Sequence, residues 1–329
     1  MENYDRLFES FTKLKVGVIG DVMLDTYMWG RVDRISPEAP VPVVSLEKKE
    51  YRIGGAGNVA LNCHSLGSQV FILSVTGDDS DGLLLHELLD ENMIDTSYFV
   101  KSSSRITTNK TRIISRNQQM MRLDSEVTAD LGKKDENALL QQVHSFIQKH
   151  DPDVMIFEDY NKGILTEKVI HEVITICSEA GVITVVDPKR KNFFTYQHAD
   201  IFKPNLTEVR QGLNLLFEEL NDSLLRRIHL ELKNILEHKI SFITLSDKGV
   251  FYQQDGRASI IPSHLRNIAD VSGAGDTVVA VAALVYVVTK DVHLMAEVAN
   301  IAGGLVCEEV GTVAIDKGKL QNECELLLS

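Results

Sequence analysis

The chain has 329 residues with 34 Lys+Arg against 47 Asp+Glu, a formal net charge of −13. That balance argues against a protein whose work is holding nucleic acid or an anionic membrane, but it allows one small anionic ligand in a locally basic pocket. A composition of 44% hydrophobic and 25% charged residues is that of a soluble globular protein, long enough to bury one large α/β core without staples. Four scattered cysteines (Cys63, Cys177, Cys307, Cys324) form no C-x-x-C pair. They exclude a zinc ribbon and a disulfide framework and predict a reducing cytoplasm. The amino-terminal stretch MENYDRLFESFTKLK lacks the apolar core of a signal peptide. The longest apolar stretch, Val278 to Val288, falls short of the roughly 20 residues of a membrane span.

In chain order, the first apolar run is Val16–Gly20, short, β-branched and ended by Asp21, as expected of a buried parallel strand. Asp21 then sits at a strand's carboxyl end, where open α/β sheets bind ligands. From Tyr27 to Ile53 the texture changes. Pro37, Pro40 and Pro42 forbid a helix and a central strand, and the charged alternation LEKKEYRI predicts a small β flap apart from the main sheet. Gly54-Gly55-Ala56-Gly57-Asn58 reads as a glycine turn opening a helix that ends near Gly67. A strand at Val70–Val75 and a helix at Gly82–Glu91 follow. Arg105–Leu123 is polar and β-rich, the second half of the flap. Helices are predicted at Asp135–Lys149, Glu167–Glu179 and Leu224–Glu237, with strands at Val154–Phe157, Val182–Val186, Ile201–Phe202 and Phe242–Leu245. A hairpin turns around Asp255-Gly256, and two helices, Gly273–Val288 and Val292–Glu309, close the chain. The alternation predicts a mostly parallel sheet with helices on both faces.

The strongest chemical signal is DVSGAGDT, Asp270 to Thr277. Backbone N–H groups at a helix amino terminus favour an anion in front of them. Gly273 and Gly275 permit close approach, and Asp276 one turn in can accept a proton from an attacking hydroxyl. Ser272 or Asp270 as a helix cap is the structural alternative. Gly55-Ala56-Gly57-Asn58-Val59-Ala60 also fits the dinucleotide pattern G-x-G-x-x-A, with Asp78 at the distance of a ribose contact. That NAD reading requires a buried strand before the glycines, and LEKKEYRI is too charged to be one. Neither a P-loop nor the H-R-D and D-F-G motifs of protein kinases occur.

GAGDT before the terminal helices, with a Gly-Gly…Asn element upstream, resembles the two signatures of the ribokinase-like (PfkB) carbohydrate kinases. The motifs GDVMLDTY (20–27), RISPEAPVPVV (34–44), SRNQQ (115–119) and DYNKG (159–163) are similar to the branch that phosphorylates heptose 7-phosphate in ADP-heptose and lipopolysaccharide core synthesis. This resemblance implies a ribokinase-like three-layer α/β sandwich spanning 1–329, with a β lid from about 25–52 and 98–124. It implies ATP as phosphoryl donor with Mg²⁺, a sugar phosphate as acceptor, and a homodimer through the lid, with neither nucleic acid nor membrane as partner. None of the ten histidines forms the H-x-G-H of the nucleotidyltransferase that bifunctional members carry, so the adenylyl step is expected to belong to another protein. A chain that keeps the fold and has lost turnover is disfavoured by Asp276 and its glycines.

The resemblance assigns roles residue by residue. Asp276 is the base, and Gly273, Ala274 and Gly275 form the anion hole. Asp21, Gly54, Gly55, Asn58, Arg112, Asp159 and Lys162 face the sugar, with Arg116 and Arg122 as further lid cations. Lys189, the PNLTE element (Asn205, Leu206, Thr207, Glu208), Thr244, Ser246, Gly249 and Asn300 face the nucleotide. Asn205 and Glu208 reach the metal through water; they equally fit a helix capping box. Glu158 departs from the heptose branch, where Ser is usual.

Overall fold

The computed structural model describes residues 4–116, 118–216 and 219–328. Asn117 of the SRNQQ motif lies outside the described residues. Eight strands form the central sheet: β1 (Lys15–Gly20), β4 (Gln69–Leu73), β9 (Val154–Glu158), β10 (Ile183–Asp187), β11 (Ile201–Phe202), β12 (Ile240–Thr244), β13 (Val250–Gln254) and β14 (Arg257–Ile261). Their order is β14-β13-β12-β11-β10-β9-β1-β4. The six strands from β12 to β4 are parallel, and the hairpin β13–β14 is antiparallel.

Alternation along each strand divides the core in two. Val16 and Val18, Val154 and Ile156, and Val185 face one layer; Ile19, Met155, Phe157 and Val186 face the other. The first layer holds α2 (Ala56–Ser65), α8 (Ala274–Thr289) and α9 (Val292–Val306); the second holds α4 (Lys133–His150), α5 (Glu167–Ala180) and α7 (Asp222–Leu236). Helix α8 is apolar nearly all round because Val278–Val285 is buried on every side, which explains the long hydrophobic run. The three-layer architecture expected from the strand–helix alternation is therefore present.

Four further strands build the lid, in the order β3-β2-β7-β8: β2 (Val22–Ile35), β3 (Pro42–Gly55), β7 (Asn109–Ser115) and β8 (Gln118–Ser125). Two boundaries differ from expectation. The first lid segment begins at Val22, inside the core, where Val22–Tyr27 is buried. The second begins at Asn109 rather than near 98, because β6 (Val100–Ser102) leaves to pair in parallel with β5 (Val75–Gly77). The predicted strand 70–75 accordingly breaks at Ser74, whose hydroxyl donates to the Gly20 carbonyl at 2.6 Å. The remaining helices are α1 (Tyr4–Ser10), α3 (Ser80–Glu91), α6 (Leu206–Gly212) and α10 (Lys317–Leu327). Neither α1 nor α10 was expected from the pattern. Each is short and rich in charge, and α10 is held by the Asp316 cap and by burial of Leu320 and Cys324.

Candidate active site

The carboxyl ends of the parallel strands deliver polar residues to one edge: Asp21 after β1, Glu158 and Asp159 at β9, Asp187 at β10, Lys203 after β11 and Thr244 at β12. Period-two alternation sets which way they point. Glu158 continues the face of Val154 and Ile156, toward α8, whereas Asp159 turns to the opposite face.

Asp276 lies in the first turn of α8 and is 3% exposed. Asn58 Nδ2 donates to its Oδ2 at 2.7 Å, and the Tyr160 hydroxyl donates to its Oδ1 at 2.8 Å. Asn58 is itself fixed, because Asn62 Nδ2 donates to the Asn58 carbonyl at 2.8 Å and the Thr277 hydroxyl donates to Asn62 Oδ1 at 3.0 Å. Burial raises the Asp276 pKa to about 6; the bonds from Asn58 and Tyr160 oppose the rise, Asp187 adds to it and Lys189 opposes it. Such a group is mostly ionised at neutral pH yet basic enough to take a proton.

Gly273 caps α8 with φ +80°, and a Cβ there would stand 2.8 Å from Asn58 Nδ2. Ala274 donates its amide to the Val271 carbonyl at 3.3 Å, whereas the amides of Gly273 and Gly275 meet no backbone acceptor among the described residues. The anion hole expected from three amides is thus open at two. Beside it stands a cationic pair. Lys203 Nζ lies 2.8 Å from Asp187 Oδ2, and Lys189 Nζ bridges Asp187 at 3.6 Å and Glu208 at 2.8 Å. A Cβ on Gly275 would approach Asp187 Oδ2 at 3.7 Å and Lys203 Nζ at 4.0 Å, so the missing side chain leaves the helix end open toward this pair. Glu158 is wholly buried beneath it, with no partner for either carboxyl oxygen among the described residues. Burial, then Asp187 and Asp276, push its pKa well up, against the opposing charges of Lys189 and Lys203.

The carboxylates expected to take sugar hydroxyls are engaged with the chain. Asp21 accepts from the amides of Tyr160 (2.7 Å), Lys162 (3.0 Å) and Ile164 (3.2 Å). Burial and Asp159 raise its pKa to about 6 against these bonds. Asp159 accepts from the Asn161 amide at 2.7 Å and the Tyr196 hydroxyl at 2.8 Å. Together they hold the loop that presents Tyr160 to Asp276. Gly55, at φ +59°, lets the chain cross the end of β1, where Ala56 donates to the Asp21 carbonyl at 3.0 Å; a Cβ on the adjoining Gly54 would collide with Asp25.

Three lid-side cations are paired or remote. Arg112 bonds Asp25 at 2.5 Å, Lys162 bonds Glu126 at 2.7 Å, and Arg116 lies exposed in the β7–β8 turn. On the nucleotide side, Asn205 and Glu208 complete a capping box around Leu206 and Thr207, the first residues of α6. Thr244 donates its amide to the Pro204 carbonyl at 3.1 Å, Ser246 and Gly249 bound a 3₁₀ turn, and Asn300 donates to the Pro262 carbonyl at 2.9 Å. Sequence reasoning missed Tyr160, Lys203 and Lys110. Tyr160 sits inside the DYNKG motif, Lys203 directly precedes PNLTE, and Lys110 shares a strand face with Arg112 two residues on.

The family model for pfkB carbohydrate kinases matches residues 13–317. The bifunctional protein HldE of Syntrophotalea carbinolica is 36% identical over 325 residues, covering 97% of this chain and 64% of that relative, so the chain spans about two thirds of its length. In fold, phosphofructokinase-2 from Escherichia coli superposes with a TM-score of 0.81 at 17% identity, over 96% of this chain and 99% of that one. Arabidopsis thaliana ribokinase, complexed with ribose and ATP, superposes with a TM-score of 0.72 at 16% identity, over 94% and 98%.

Proposed function

The chain belongs to the pfkB family of carbohydrate kinases, and from that premise we propose that it transfers the γ-phosphoryl of ATP to the anomeric hydroxyl of D-glycero-D-manno-heptose 7-phosphate. The similarity to HldE over 97% of the chain and the heptose-branch motifs support the substrate. The observation that carries the chemistry is Asp276, buried at the amino end of α8 with both oxygens oriented by donors. Each carboxylate oxygen keeps a second lone pair, so the acceptor hydroxyl can add to the existing bonds without displacing them. As that hydroxyl attacks the γ-phosphorus in line, its proton passes to Asp276. The open amides of Gly273 and Gly275 and the ammonium of Lys203 face the charge of the transferring group. Closure of the lid excludes water as a competing acceptor.

Among the described residues no three His, Cys, Asp or Glu side chains converge to hold a metal, and Asn205 and Glu208 are engaged in their own cap. The hard oxygen donors of Asn205 and Glu208 suit Mg²⁺, which these two residues would hold through water. When bound, it neutralises charge on the phosphates. The four cysteines are free and buried, in keeping with a cytoplasmic site of action. The outer lid strand β8 exposes Met121 and Leu123 and fits a C₂ homodimer formed lid to lid. ADP release measured across heptose 7-phosphate, fructose 6-phosphate and ribose tests the substrate. A kcat/KM highest for heptose 7-phosphate supports this reading, and a higher value for either other sugar overturns it.

A further inference from the structure

The lid and the sheet edge bring several cations near the acceptor side of Asp276, and most are already spoken for. Arg112 is bonded to Asp25, Lys162 to Glu126, Lys189 to Glu208 and Arg122 to Asp124. Lys110 differs. It lies partly buried on β7, and its ammonium makes no ion pair or hydrogen bond among the described residues. Its Nζ stands 5.1 Å from the centre of the Tyr160 ring, the same tyrosine whose hydroxyl donates to Asp276. Burial lowers the Lys110 pKa. The charges that act on it are Asp25 and Glu126, which favour its ionised form, and Lys162 and Arg112, which oppose it. Both of those carboxylates are bonded to other cations, so Lys110 is the excess positive charge of this group.

A partly desolvated ammonium without a counter-charge is costly and is an anion site in waiting. We propose that Lys110 binds the phosphate at the far end of the acceptor sugar and so makes the enzyme select phosphorylated over neutral sugars. This rests on the kinase reading above and deepens it, moving the phosphate contact from Arg112 to Lys110. Arg112 keeps guanidinium N–H groups beyond the Nη1 that bonds Asp25, but its charge is already offset by that carboxylate, which is 4% exposed, whereas the Lys110 ammonium has no carboxylate partner among the described residues. Lys110 gives up only a cation–π contact. Its flexible stem suits a mobile, monodentate grip. Lys110 and Asp276 meet the same tyrosine, one at its ring and the other at its hydroxyl, so an acceptor whose reacting hydroxyl meets Asp276 lies on the side of the site where Lys110 stands.

The test compares wild type, Lys110→Met and Lys110→Arg in steady-state assays with heptose 7-phosphate, unphosphorylated heptose and fructose 6-phosphate. Loss of a charge-assisted bond raises KM for the phosphorylated sugar about 10- to 100-fold in Lys110→Met. The preference for the phosphorylated over the neutral heptose collapses by the same factor, KM for ATP moves little, and Lys110→Arg restores most of the preference. Equal increases in KM for phosphorylated and neutral sugars overturn the role of Lys110 while leaving the heptose 7-phosphate reading intact. A wild type that favours fructose 6-phosphate overturns the heptose reading, and Lys110 then stands or falls by the same ratio measured on that sugar. Preference of the wild type for neutral sugars overturns both.

Discussion

The edge of the eight-stranded sheet and the four-stranded lid both present charged residues to the acceptor site, yet they hold them differently. At the sheet edge, Asp21, Glu158, Asp159, Asp187, Lys203 and Asp276 are each at most 3% exposed, fixed by backbone amides, ion pairs or sheer enclosure. Burial raises the pKa of Asp276 and of Asp21 to about 6 and pushes that of Glu158 well up. Along the lid, β8 is exposed throughout, and pairs such as Arg122–Asp124 and Arg31–Glu47 lie in water. The difference teaches where chemistry and recognition are separated. The edge is rigid enough for the proton and phosphoryl transfer proposed above, whereas the outer lid is lightly packed, as the proposed contacts with sugar and partner require. Substitutions at the edge should therefore change turnover, and substitutions on the outer lid should change assembly.

The largest expected effect comes from Asp276→Asn. The amide keeps the size and can satisfy Asn58 and Tyr160 but cannot accept the proton, so kcat falls by roughly 10²–10⁴-fold in steady-state assays while ATP still binds. The same variant should gain stability. The native pKa of Asp276 is raised, so its ionisation opposes folding. The native advantage of its neutral form is complete below about pH 4 and is lost as pH rises through about 6. Asn removes that loss, by as much as about 3 kcal/mol for a shift of about two units. Thermal melts at pH 8 should place the variant above wild type, with the gap closing on acidification.

Tyr160→Phe comes next. It removes a donor to the ionised base, so kcat drops about tenfold and the acid limb of the pH–rate profile moves to higher pH. Gly273→Ala imposes a side chain at φ +80° against Asn58, and denaturant melts should show a loss of about 1–2 kcal/mol together with slower turnover. On the lid, Met121→Lys combined with Leu123→Lys leaves monomer stability within about 0.5 kcal/mol of wild type, but light scattering should report monomers in place of dimers. Smallest of all, Arg122→Ala breaks an exposed pair and should shift stability by no more than about 1 kcal/mol. A large loss of turnover from either outer-lid change would erase the contrast between the two regions.

The same contrast explains what could be read without coordinates. Strand ends such as Val16–Gly20 and Val182–Val186 announce themselves because a buried parallel strand is a short apolar run that stops at a polar residue. GAGDT and Gly54-Gly55…Asn58 are legible because close approach requires glycine at fixed offsets from the acid and amide they serve. Tyr160 was not legible as the donor to Asp276, since that bond spans 116 residues and depends on Asp21 and Asp159 folding the intervening loop. Nor could sequence decide which lid cation lacks a partner. Lys110 and Arg112 differ only in which of them finds Asp25, a matter of register and rotamer. The departure at the Glu158 position was visible, but its enclosure on the α8 side follows only from the alternation of β9 beneath that helix.

The most direct test of the central claim, that ionisation of Asp276 governs phosphoryl transfer, is the pH dependence of the transfer rate in wild type and in Asp276→Asn. Wild type should lose activity as pH falls through about 6, where the buried carboxylate takes up its proton, and the residual rate of Asp276→Asn should be flat across that range. An identical acid limb in both proteins would assign the ionisation to another group and contradict Asp276 as the base.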